Sequence, residues 1–382
     1  MATTLYLDYR MKRPKSLFVV VIALLPLVLV SCSIFGGATV SGGWGGTAFS
    51  DGIIYAGTRG GRVVAINSST QSRQWDYAIT PTTAIYTTPI VDGDLVYVGT
   101  YSGQVYALTI GQGVERWVYP RTGSIGAIVA RPVVANGTIY ISSSDGRVYA
   151  LNTTYGDLKW ESEPLAGKLW TSPVIIGDTL YVSTFDGYIY ALSTETGELL
   201  DWSFASEAGF ASSPVIYGDA IYVGSFDRHL YAIEIGNNVT MWKFPQEKQA
   251  GNWFWASPIV NEGIVYAGCL DGKLYAIEAK TGEELWEFDT GGPIVSSPLF
   301  ADNLLIVANE AGNVYVINPN TGGGERIRNS ENDSRPTINA QIKASLCAQE
   351  GLVYIRAEDN QLYVVDIDKR AVSWNVSLTV EK

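Results

Sequence analysis

Residues 264–286 read Ile-Val-Tyr-Ala-Gly-Cys-Leu-Asp-Gly-Lys-Leu-Tyr-Ala-Ile-Glu-Ala-Lys-Thr-Gly-Glu-Glu-Leu-Trp. Two apolar runs centred on Tyr266 and Tyr275 flank the pair Asp271-Gly272, and a third run ends at Trp286. Asp-Gly pairs favour primed turns, whose twist suits antiparallel strands. The segment therefore predicts a hairpin followed by a further strand. The pattern returns along the chain. Its first tyrosine recurs at Tyr55, Tyr97, Tyr140, Tyr181, Tyr222 and Tyr354, with Ile306 in the remaining copy, at spacings of 40 to 48 residues. A second apolar run is centred nine residues after each, and a tryptophan follows after 20 or 21 at Trp75, Trp117, Trp160, Trp202, Trp242, Trp286 and Trp374. The seventh copy carries Arg326 in its place.

Eight residues before the first tyrosine, a proline opens one more apolar run in most copies, as in Pro132-Val-Val and Pro214-Val-Ile. Proline is tolerated at the first position of a strand, where no ladder hydrogen bond is required. Each copy thus reads as four strands, A to D, and a period of 40 to 45 residues marks a propeller. The prediction is an all-β chain, an eight-bladed β-propeller of four-stranded antiparallel blades over residues 47–382. Whether the ring closes by a shared terminal strand is left open by the repeats.

Composition agrees and narrows the chemistry. The 382 residues are 47% hydrophobic and 17% charged, which excludes a wholly disordered chain. Lys plus Arg number 26 against 38 Asp plus Glu, a net charge of −12, opposite in sign to what a phosphate backbone attracts, so no nucleic-acid partner is expected. With Cys32, Cys269 and Cys347 far apart and one histidine, His229, a Cys/His metal site cannot be assembled. His229 lies in the turn Phe226-Asp-Arg-His229 and reads as a loop residue. Asp145, Asp186, Asp227 and Asp271 at equivalent turns could form a carboxylate circle with weak calcium affinity, but aspartate is favoured there by turn geometry alone.

The amino terminus reads as an export signal. Met11-Lys-Arg-Pro-Lys15 is basic, and Leu17 to Val30 is uncharged. Fourteen helical residues span about 21 Å, short of the roughly 30 Å hydrocarbon core. Leu29-Val30-Ser31-Cys32 resembles the lipobox of bacterial lipoproteins, which implies cleavage after residue 31 and lipid attachment at Cys32. Residues 1–31 are then the signal peptide, with Met11 a second candidate start, and 32–46 the anchor and tether. Two or more acyl chains suffice for stable anchoring. The expected location is outside the cytoplasm, at the periplasmic face of an outer membrane or the cell surface.

Ala276-x-Glu278-x-x-Thr281-Gly282-Glu283-x-x-Trp286 resembles the Ala-x-Asp-x-x-Thr-Gly-x-x-x-Trp docking repeat of the pyrroloquinoline quinone (PQQ)-like propellers. The resemblance covers residues 47 to 380 and implies that each tryptophan packs between neighbouring blades. The family includes quinoprotein dehydrogenases, outer-membrane assembly lipoproteins of the BamB type, and exported propellers without an assigned role. The dehydrogenases use a vicinal cysteine pair and an aspartate beside calcium. Here Cys269 and Cys347 stand in different copies, so no cofactor and no catalytic residue is expected. What the resemblance implies instead is a non-catalytic, membrane-anchored scaffold that binds a protein partner, a monomer within a complex. A carbohydrate or small-molecule binding lipoprotein is the alternative.

The strand order puts the D-to-A loops and B-to-C turns on one face, around the mouth of the axial channel. Three residues before the proline position, Trp44, Tyr86, Trp170 and Trp255 give four aromatics in eight copies, and Lys343 adds a cation. One residue before it the series is small except for Arg131, and Trp253 joins Phe254 and Trp255 on one rim loop. Grouped tryptophan and arginine are typical binding anchors. These seven residues form the candidate partner or ligand face, although their aromatics could simply pack on adjacent blades. The polar link from Asn318 to Ile342, with Arg326, Arg328, Glu331, Asp333 and Arg335, is a second candidate surface or a tolerated insertion.

Overall fold

A computed structural model of the chain describes residues 45–210, 212–328 and 334–379. Among them, 32 strands form eight antiparallel sheets of four, each built from consecutive strands. Blade 1 comprises Thr47–Ser50, Ile53–Gly57, Arg62–Asn67 and Ser72–Ala78, strands A to D in that order. Blades 2 to 8 occupy residues 90–119, 133–161, 174–205, 215–244, 259–289, 299–326 and 347–377. This is the eight-bladed propeller expected from the repeats. The signal segment, Cys32, the tether to Trp44, and Ala211, Glu331 and Asp333 lie outside the described residues.

Strands B and C are the buried pair of each blade. In blade 1, Tyr55 faces Ala65 across the ladder, and Ile53–Gly57 is buried throughout. Strand D pairs in register until a bulge just before the tryptophan, between Ala65 and Ile66 opposite Trp75 and between Ala276 and Ile277 opposite Trp286. A bulge re-aims a side chain, and here it accompanies the tryptophan's turn toward the next blade. Blade 7, which has Arg326 instead, pairs without a register shift. There the guanidinium donates to Asn313 Oδ1 at 3.2 Å.

The tryptophan and the strand B tyrosine act as a pair. Trp117 Nε1 donates to Thr153 O at 2.9 Å, and the Tyr97 hydroxyl reaches the same oxygen at 3.2 Å. Trp242 and Tyr222 converge likewise on Ala279 O, at 2.9 and 3.1 Å, and Trp160 and Tyr140 on Thr194 O, at 3.0 and 3.3 Å. The rings of each pair lie within 5.7 to 5.8 Å, centroid to centroid. The acceptor belongs to the C-to-D loop of the following blade. The glycine of the docking repeat explains itself at this contact. Gly197, at φ +75°, lies under Trp160 so closely that an added Cβ would stand 2.3 Å from the indole.

Small residues at the hub have a hydrogen-bonding role. Ser172 N donates to Ser213 Oγ at 2.9 Å, Ser213 N to Ser257 Oγ at 3.0 Å, Ser257 N to Ser297 Oγ at 3.1 Å, and Gly46 N to Thr88 Oγ1 at 2.9 Å. Adjacent inner strands, too far apart to form a ladder, are joined by hydroxyls.

The ring closes between blades 8 and 1 without exchanging a strand. Arg356, 3% exposed, fills a position held by Gly57, Gly99 and Gly224 in other blades, and its Nη1 donates to Gly45 O at 2.9 Å. Burial pulls its pKa down. Arg59 pairs with Glu358 across the seam, and Arg73 Nη2 donates to Ser377 O and Thr379 O at 3.1 and 2.9 Å.

Two outcomes follow from these junctions. Trp242→Ala removes a side chain only 6% exposed and leaves a cavity between blades, so stability should fall by about 3–5 kcal/mol, read as a lowered thermal midpoint. Burial raises the phenol pKa of Tyr55, Tyr222 and Tyr266 from 10.0 to about 12. The folded chain holds those protons more tightly than the unfolded one, so the stability linked to them is complete below pH 10 and lost as pH rises toward 12. An alkaline titration followed by tyrosinate absorbance and circular dichroism should show ionisation and unfolding together; early ionisation in an intact fold would contradict the packing.

Candidate functional site at the channel mouth

The D-to-A loops and B-to-C turns do share one face, and each loop is stitched to the turn of the following blade. Phe185 N donates to Lys168 O at 3.1 Å, Phe226 N to Gly209 O at 2.8 Å, Leu270 N to Trp253 O at 2.9 Å and Glu310 N to Pro293 O at 2.7 Å. The donor is in every case four residues after the strand B tyrosine position. In chain order that position holds Arg59, Tyr101, Ser144, Phe185, Phe226, Leu270, Glu310 and Glu358. Tyr101, Phe185, Phe226 and Glu310 meet candidate residues of the loops, and the repeat does not single them out, because the identities change from blade to blade.

The contacts divide the mouth into sectors. Across blades 4 to 6 the aromatics form a connected arc. Trp170 meets Phe185 edge to face at 5.1 Å, Phe185 meets Phe226 at 4.8 Å, and Phe226 meets Trp253 at 5.1 Å and Trp255 at 5.8 Å. Such offset and edge contacts are the favoured aromatic geometry. Lys168 Nζ stands 5.5 Å from the Trp170 ring centre, a cation–π distance. Tyr86 lies apart from the arc and packs edge to face on Tyr101 at 5.5 Å. Blades 7, 8 and 1 carry charge instead, with Lys343 Nζ 3.0 Å from Glu310 and Arg59 paired to Glu358.

Most of the predicted aromatics therefore pack on adjacent blades. Trp170 and Trp255 are half-buried, whereas Trp253 remains 39% exposed and is the ring of the arc most open to a partner. Trp255 and Lys343, 88 positions apart in the chain, line one cavity of about 230 Å³ with Asn252, Leu270, Pro293, Val295 and Glu310. The lining combines apolar side chains with an ammonium–carboxylate pair, a setting for a small polar group or a partner side chain. The positive charge of Lys343 is compensated by Glu310. Arg131 occupies the hub position of blade 3, half-buried.

The turn aspartates Asp145, Asp227 and Asp271 are occupied within their own hairpins. Asp271 Oδ1 accepts from Lys273 N at 3.0 Å and Oδ2 from the Tyr275 hydroxyl at 2.9 Å; Asp145 serves Arg147 N and Tyr149 in the same way, at 3.0 and 2.7 Å. Asp227 accepts from His229 N and from the Tyr231 hydroxyl, and His229 Nδ1 lies 3.4 Å from the same carboxylate. The i, i+4 Asp–Tyr spacing was visible in the sequence as a signal for this hairpin brace. Among the described residues, no group of three or more His, Cys, Asp or Glu side chains is placed to hold a metal ion. Cys269 and Cys347 are both buried, and burial pushes the Cys269 thiol up to about 12, far from a reactive thiolate. No helix among the described residues is long and apolar enough to cross a membrane.

Comparisons with known proteins converge on the same architecture. The profile of the family described as outer membrane protein assembly factor BamB matches residues 33–244, 163–269 and 240–324. No curated protein matches the sequence. Among solved structures, BamB from Moraxella catarrhalis superposes with a TM-score of 0.65 at 20% identity, covering 83% of this chain and 92% of that one. The computationally designed Ika8 protein gives 0.69 at 17% identity, over 88% and 98%. The quinohemoprotein alcohol dehydrogenase from Comamonas testosteroni gives 0.65 at 14%, over 85% and 71%. At these identities the structural likeness speaks for the fold, which a cofactor enzyme and a designed ring share. The family profile, whose matches run over most of the chain, carries the assignment: this protein belongs to the BamB-type family of PQQ-like β-propellers.

Proposed function

We propose that the chain is a non-catalytic scaffold, held to a membrane through a lipid on Cys32, that binds a protein partner at the channel mouth and serves outer-membrane protein assembly as BamB-type factors do. The observation that carries this reading is the aromatic arc ending in exposed Trp253, set on loops that a rigid ring holds in place. Preorganised aromatic rings contribute much contact area for little ordering cost. The family match supports the assembly role, and the lipobox supports the anchor. The buried thiols and the turn aspartates Asp145 and Asp271, already engaged within their hairpins, are consistent with a face that binds without reacting.

The cavity beside Trp255 and Lys343 favours one further reading, a site for a small polar ligand such as a saccharide unit. Titration of tryptophan fluorescence with common mono- and oligosaccharides separates the two, since a saturable change would favour this ligand role.

Trp253→Ala and Arg131→Glu are expected to weaken recovery of the partner with the lipidated protein by about tenfold or more, the loss typical of a binding anchor, with thermal melting unchanged. Undiminished recovery with both variants would remove the mouth as the working face. Cys32→Ala should release the chain into the soluble fraction, and retention of that variant on membranes would count against the anchor.

A further inference from the structure

The end of the propeller opposite the mouth is built from A-to-B turns and C-to-D loops, joined within each blade by hydrogen bonds such as Ile110 N to Asp94 O at 3.0 Å, Thr194 N to Asp178 O at 3.0 Å and Ile235 N to Asp219 O at 2.9 Å. Its charge differs from that of the mouth. Every A-to-B turn except Asn136-Gly137 carries a carboxylate, and none carries a basic residue. The C-to-D loops add Asp157, Glu195, Glu198, Glu283 and Asp368 against Lys280, Lys369 and Arg370. At the mouth, Arg121, Arg131, Lys168, Lys248 and Lys343 offset the carboxylates of the B-to-C turns. The acidity of the protein is concentrated on the far end.

Large apolar side chains are exposed beside that end, and only over part of the ring. Val114, Leu158, Leu199, Leu200, Val239 and Leu285, on or just before the outermost strands of blades 2 to 6, and Tyr217 at the end of an inner strand, are each 40 to 54% exposed. The equivalent stretch is Ser72-Arg73-Gln74 in blade 1 and Gly323-Gly324-Glu325 in blade 7. One exposed leucine has no significance on a protein surface. A crescent of them, confined to consecutive blades and lying on edge strands that natural sheets usually guard with charge, marks an interaction surface. The crescent is continuous across one junction, where Asn238 Nδ2 donates to Ser203 O at 3.2 Å.

Charge decides the occupant. A second copy would bring like carboxylates together, and an anionic bilayer would be repelled in the same way. Gly45 lies at the mouth end, where its carbonyl is held by Arg356. We propose that the crescent of blades 2 to 6 docks a cationic, apolar segment of a partner protein, leucine-like side chains seating against the outer strands and basic ones against the flanking carboxylates. This is a second surface, independent of the partner assigned to the mouth.

The test uses the full chain and a fluorescent 18-residue peptide of leucine and lysine arranged to be amphipathic, beside an all-lysine peptide, a leucine–glutamate peptide and phosphatidylglycerol vesicles. The leucine–lysine peptide should bind, weaken with added salt, and lose about tenfold in affinity with the Leu199→Ser/Val239→Ser variant while keeping it with Trp253→Ala. Leu158→Ser/Leu285→Ser, on different blades, provides an independent pair, and near-ultraviolet circular dichroism checks that each variant is folded. Equal binding of the all-lysine peptide, or affinity unchanged by both crescent variants, would reduce the effect to bulk charge and overturn the proposal. Loss on Trp253→Ala, crescent-dependent vesicle binding, or self-association abolished by the crescent variants would overturn it as well.

Discussion

A single carbonyl oxygen in the C-to-D loop receives two donors from the blade before it, an indole N–H and a phenol, as at Thr153, Thr194 and Ala279. Everything else about the ring is compatible with this arrangement or derives from it. The tryptophan must leave the plane of its own sheet, and the bulge before it allows that. The loop must approach the indole face without a side chain, and glycine at positive φ allows that. Because donors and acceptor sit on different blades, no sheet completes the contact alone. A buried polar pair without its partner is costly, so each blade depends on its neighbour.

That dependence explains what the sequence revealed. A contact repeated at most junctions demands the same residue types at the same interval, so tyrosine, Thr-Gly and tryptophan stand out at once, and with them the strand count and the family. The contacts at the mouth have no such repetition. Phe185 and Phe226 extend the arc between Trp170 and Trp253, yet their counterparts are a tyrosine, a serine, a leucine and three charged residues, so the pattern is diluted across the copies. Cys32 and Trp44 were readable as motif and periodicity, and they lie outside the described residues. The hub serines were anticipated only as small residues; that their hydroxyls bridge neighbouring strands is a distance relationship that one strand's sequence does not express.

The two ends of the disc differ in the kind of variation they tolerate. At the mouth, ring and charge are sorted by sector, aromatic over blades 4 to 6 and ion-paired over blades 7, 8 and 1. At the far end, acidity is nearly uniform while apolar exposure is restricted to one side. Uniform junctions thus leave the exposed positions of eight similar units free to diverge, and surface identity comes from that divergence. The cavity beside Lys343 arises in this way from residues of several blades, at repeat positions whose identity varies from copy to copy.

The seam between blades 8 and 1 has an implication for how the chain could be rewired. Because each sheet is woven from consecutive strands, the first and last blades meet as neighbours, with Arg73 reaching Ser377 and Thr379 and Arg356 holding Gly45. Joining those two ends by a short linker and cutting the backbone at any other interblade loop would preserve all the ladders, so the order of blades along the gene is one of eight interchangeable starting points for the same circle.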